Sequence, residues 1–146
     1  MRRIIHALMS GNPKALFASF LYFDTGFSIW LLLGALAPFI VQELNLSPAQ
    51  KGFMVAVPVL SAAVFRLNFG HMYQSIDGKR IALMGIILSG IPSLFALLFP
   101  QLLSNYTVLL LLGVILGLGG ASFAVALPMA GSNYPREVQG LVLGLA

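Results

Sequence analysis

Between Arg80 and Arg136 the chain carries no Asp, Glu, Lys or Arg. At 1.5 Å per residue a single helix over that stretch would be about 80 Å long, so it has to fold back on itself. The turn chemistry falls at Pro100-Gln101 and Ser104-Asn105-Tyr106, where a proline ends a helix and small polar residues start the next. Two apolar segments result, 81–99 and 107–130, and each is long enough for a hydrocarbon core of about 30 Å. The rest of the chain repeats the pattern. Lys14 and Glu43 bracket an apolar segment at 15–41 that contains Asp24, and Lys51 and Asp77 bracket another at 52–73 that contains Arg66. A fifth apolar segment opens at Val138 and runs to Ala146, well short of a bilayer crossing.

Composition agrees with this reading. The 146 residues are 59% hydrophobic and 8% charged, whereas soluble domains carry about 25% charged residues. The expected fold is therefore an all-α membrane protein of four transmembrane helices plus a truncated fifth. There is no cysteine, which removes disulfides, thiol catalysis and Cys-ligated metal sites. The formal charge of +4 comes from basic residues scattered between apolar segments, a topology signal rather than a nucleic-acid surface. Arg2, Arg3, Lys14, Lys79, Arg80 and Arg136 fall on one side and Lys51 on the other, which places the N-terminus in the cytoplasm of an inner-membrane protein. So strong a bias argues against a dual-topology dimer. Ile4–Met9 is too short and too polar at His6 for a signal peptide.

Charges inside spans are the most informative positions, because each costs about 2.5–3.5 kcal/mol at the membrane centre on insertion scales. Arg66 lies roughly 20 Å into its span, too deep to snorkel easily to the near interface. Its planar fork of donors suits a small planar oxyanion, and the alternative is a structural ion pair with Asp24. Asp24 is a candidate proton acceptor or gate, or else a hydrogen-bond partner between helices. Gly113, Gly117, Gly119 and Gly120 form a small-residue tract of the kind that lets helix backbones approach closely. Phe123 follows that tract and either lines a cavity or packs in the core or against lipid. His71 has no second His or acidic partner at metal-ligand spacing. No HExxH, Walker A loop or serine with a plausible base is present, so no enzyme and no cofactor is expected.

Four blocks carry a family resemblance: Phe20-Leu-Tyr-Phe-Asp-Thr-Gly-Phe-Ser-Ile-Trp30, Asn45-Leu-Ser-Pro-Ala-Gln-Lys-Gly-Phe53, Arg66 before Gly70, and Gly117-Leu-Gly-Gly-Ala-Ser-Phe123. Together, in order and over nearly the whole chain, they resemble the nitrate/nitrite porters of the major facilitator superfamily. The resemblance implies a twelve-helix transporter of two six-helix halves that rock about a positively charged site near the midplane. It also implies that Arg66 matches the first-half arginine that holds the anion and that Phe123 matches an aromatic residue packed on bound nitrate. The substrate would be nitrate or nitrite, and the environment a lipid bilayer.

The family's second arginine and most of its glycine-rich fifth-helix signature, which Gly140-Leu-Val-Leu-Gly-Leu-Ala146 only opens, lie beyond this sequence. In the loop after the second span, Gln74 and Ser75 replace an acidic and a basic residue and Asp77 stands in place of a glycine, while within the span, near Arg66, Asn68 stands where the family commonly has a proline. The charges that make the family's cytoplasmic gate contact are thereby missing at those positions. The expectation is an N-terminal fragment that does not transport alone. It would be either a gene remnant, the reading that the truncation favours, or a short chain completed by the missing C-terminal portion or by another membrane chain. A non-transporting membrane subunit and a fragment of a transporter for another small anion are the alternatives.

Overall fold

The computed structural model describes residues 8–144. Arg2, Arg3 and the last two residues of the fifth apolar segment lie outside them. Four helices are long and apolar enough to cross a membrane. These are α1 (Pro13–Leu44), α2 (Pro48–Met72), α3 (Gly78–Leu98) and a span over Tyr106–Gly131 divided into α4 (Tyr106–Gly120) and α5 (Phe123–Gly131). A 3-10 turn at Pro100–Ser104 joins α3 to α4, and a short helix α6 (Gln139–Leu143) follows the loop after α5.

The helix starts are set by polar caps that satisfy the first free N–H groups. Asn12 Oδ1 accepts from the amides of Lys14 (3.1 Å) and Ala15 (3.2 Å), with Pro13 at the first helical position. Ser47 and Gln50 form a reciprocal capping box at the start of α2. Asn105 caps α4 through the amides of Thr107 and Val108. Between α1 and α2 the chain reverses at Asn45, which adopts the left-handed conformation with φ 50° and donates its amide to Val41. Within the spans, the hydroxyls of Ser19, Ser89 and Ser93 donate to carbonyls one turn earlier, which satisfies them where no water is at hand.

Large apolar side chains such as Leu67, Leu97, Leu60 and Phe17 face outward, the arrangement expected of a surface bathed in lipid. The central element is α4, which packs on α1, α2 and α3. Its small face makes this possible. A Cβ on Gly113 would touch Leu33, Val57 and Pro58, each at 3.3 Å. One on Gly117 would meet Ser61 and lie 2.8 Å from the backbone nitrogen of Ala62. One on Gly119 would fall 2.5 Å from the carbonyl oxygen of Gly26, and one on Gly120 2.8 Å from Cβ of Ala62. Backbones this close rely on dispersion contacts in place of a hydrophobic drive, which lipid does not supply.

The fourth span is read from sequence as one helix over 107–130, whereas the structure breaks it at Ala121-Ser122. There the bonding tightens to a 3-10 pattern, with Ser122 N donating to Gly119 O and Ala124 N to Ala121 O. A run of glycines ending in serine is a usual place for such a break. Its consequence is chemical: the Gly120 carbonyl, which Ala124 would engage in a continuous helix, is left for another donor.

Candidate functional site

Arg66 supplies that donor. From α2 its Nε donates to Gly120 O at 3.0 Å, across to the break in the fourth span. The half-buried guanidinium lies 5.5 Å from the ring centroid of Trp30 and 5.5 Å from that of Phe123. Both distances are within cation–π range. Three spans therefore converge on one charge: α1 with Trp30, α2 with Arg66, and the α4–α5 break with Gly120 and Phe123. Gly120 lies about halfway along the Tyr106–Gly131 span, so the charge sits inside the apolar slab.

This arrangement disposes of the guanidinium unevenly. Nε is used, while the two terminal nitrogens make no hydrogen bond within the described residues. An arginine in an apolar slab with its paired outer donors free is set up for a ligand with two acceptor oxygens in one plane, the bidentate geometry that lysine cannot match. Phe123 is 45% exposed, so the described helices leave part of it uncovered.

Asp24 does not join this group. It is exposed on α1, two residues before the buried Gly26, and Arg66 is held by Gly120 and the two rings with no carboxylate among its partners. Gly113 and Gly117 lie against α2, Gly119 lies against α1, and Gly120 lies between Ala62 and Trp30. The structure thus brings Arg66, Phe123 and Gly120 together and leaves Asp24 apart.

Trp30 is the residue that reading the sequence missed. Its signal was an aromatic stripe at Phe23, Phe27 and Trp30, spaced by four and three residues on one face of α1. Phe27 and Trp30 meet edge to face at 5.6 Å, Phe23 and Phe27 are 5.7 Å apart, and Phe23 meets Phe123 at 5.9 Å. Nothing local to α1 reveals that this stripe runs round a cation supplied by α2.

Comparison with known proteins decides the family. Residues 18–146 match the family model described as Major Facilitator Superfamily. The chain belongs to the major facilitator superfamily. Among curated relatives it is 30% identical over 124 residues to a probable nitrate transporter NarT of Staphylococcus carnosus (strain TM300), covering 82% of this chain and 30% of that protein. It is likewise 30% identical over 120 residues to a probable nitrate transporter NarT of Staphylococcus aureus (strain JH9), with the same coverage. The chain thus spans about a third of the length of the curated relatives it matches. No solved structure matches it significantly. Family and helices together make this a multi-pass membrane protein of a non-enzymatic transporter family.

Proposed function

We propose that this chain provides the first-half anion site of a nitrate/nitrite transporter, with Arg66 binding the anion and Phe123 covering its face. The observation that carries the reading is the tethered guanidinium beside two aromatic rings, with its terminal nitrogens unpaired among the described residues. A planar oxyanion entering the plane of the guanidinium accepts two parallel charge-assisted hydrogen bonds and keeps both partners charged. The nitrate transporters among the relatives support the choice of anion. The remaining wall of the site belongs to further transporter sequence or to another membrane chain, against which this bundle would rock.

The glycine face of α4 is the packing surface that lets α1 and α2 hold their residues against the site. Asp24, exposed on α1 and outside the Arg66 cluster, is the candidate for proton coupling or gating. Lys14, Lys79, Arg80 and Arg136 lie at one end of the spans and Lys51 at the other, a bias that supports reading the N-terminal end of α1 as cytoplasmic in an inner-membrane protein.

Line broadening of 15N-nitrate by the chain in lipid nanodiscs tests the reading. Saturable broadening that is lost in Arg66→Gln is the expected result. Broadening that survives this substitution, or that is absent from the wild type, refutes it.

A further inference from the structure

We infer that Trp30 is a positioning residue that fixes the plane of the Arg66 guanidinium and so makes the site select flat anions over tetrahedral ones. The inference rests on the anion-site reading above and adds a residue and a specificity to it.

Trp30 is held at both ends. Its indole Nε1 donates to the Pro58 carbonyl at 3.0 Å, which ties α1 to α2 two turns before Arg66. The other edge of the ring lies on the backbone of Gly120, where a Cβ would come within 2.9 Å of both Cγ and Cδ2 of the indole. One aromatic ring therefore touches the cation, the residue whose carbonyl accepts from it, and the helix that carries it. Ring contacts continue from Trp30 through Phe27 and Phe23 to Phe123, edge to face at either end and tilted by 31° between Phe23 and Phe27, so the two rings near the guanidinium are braced against each other through α1.

The geometric consequence concerns freedom of rotation. A guanidinium tethered only through Nε could swing about that bond and present its terminal nitrogens at many angles. With Trp30 and Phe123 each at 5.5 Å, swinging forfeits a cation–π contact. The terminal donors are left in one held plane, which the three coplanar oxygens of nitrate can share. A tetrahedral anion placing two oxygens in that plane must carry its other two out of it, where the aromatic neighbours of the guanidinium leave less room than for a flat anion.

Nitrate binding by the chain in nanodiscs, with sulfate as competitor, tests this. Trp30→Leu is expected to weaken nitrate about 10-fold and to lower the nitrate-over-sulfate preference, at unchanged helix content. Trp30→Phe, which keeps a ring and loses the indole N–H, is expected to restore most of both. A purely structural role would weaken the two anions in proportion and leave the preference where it was, and that result overturns the inference. So does Arg66-dependent nitrate binding that Trp30→Leu leaves unchanged.

Should Trp30→Leu fail to fold, the wild-type chain supplies a second readout, since Trp30 is its one tryptophan. Its emission should change on adding nitrate and remain unmoved in Arg66→Met, whereas emission indifferent to nitrate while nitrate binds overturns the inference. If the wild type shows no Arg66-dependent nitrate binding, the anion-site reading itself fails and this inference with it.

Discussion

Substituting Gly119 by alanine should loosen the bundle far more than the same change at Gly34, although both glycines lie inside transmembrane helices. At Gly119 the added Cβ meets only backbone of α1: Gly26 O at 2.5 Å, Trp30 N at 3.3 Å and Gly26 C at 3.4 Å. No side chain can rotate away, so α1 must retreat by roughly an ångström to reach ordinary contact distance. Overpacking of this kind costs about 1–3 kcal/mol. At Gly34 nothing lies within 4 Å. Replacing a helical glycine by alanine brings a favourable propensity term of about 1 kcal/mol at both positions, so that term cancels in the comparison. The expected difference between the two variants is therefore about 1–3 kcal/mol, read from reversible unfolding in mixed lipid–detergent micelles followed by circular dichroism. Equal stability of Gly119→Ala and Gly34→Ala would show that the close approach of α1 and α4 is not a real constraint.

Arg66→Lys keeps the charge but loses the Nε tether to Gly120 and the planar fork, so nitrate binding should fall by about 10-fold or more, measured by 15N-nitrate line broadening. Ser47→Ala removes one half of the capping box at the start of α2 and should cost about 1 kcal/mol in the same unfolding assay, with anion binding unaffected in the folded fraction. Asp24→Asn removes a charge from inside α1 but outside the Arg66 cluster, so Arg66-dependent broadening of 15N-nitrate should be unchanged, and a loss of it would show that the carboxylate acts on the anion site.

Much of the architecture could be read from charge spacing alone, because a bilayer accepts only helices or closed barrels and leaves a short menu for long uncharged segments. The apolar windows begin later than the helices do, at residue 15 against Pro13 and at 52 against Pro48. The difference is the polar first turn, which the caps Asn12 and Ser47 organise outside the hydrophobic stretch. The break at Ala121-Ser122 was not legible. Glycine and serine there fit a continuous small-faced helix as well as an interrupted one, and only packing against α1 and α2 distinguishes the two. Arg66 drew attention because an unavoidable charge in an apolar span has to be accounted for. Its actual partners were hidden for a reason of a different kind. A backbone carbonyl carries no sequence signature, and Trp30 belongs to a stripe that looks the same whether it faces lipid, core or cation.

The peptide oxygen that steadies Arg66 has no amide partner within its own rod, because the rod is interrupted beside it. Were the rod to straighten, Ala124 would engage that oxygen as well, and the arginine would share its anchor with an amide. Bend and anchor are thus coupled. By thermodynamic reciprocity, whatever loosens the guanidinium from that oxygen also lowers the cost of the straighter rod, so the interruption ties the grip on one side chain to the shape of a membrane-crossing segment.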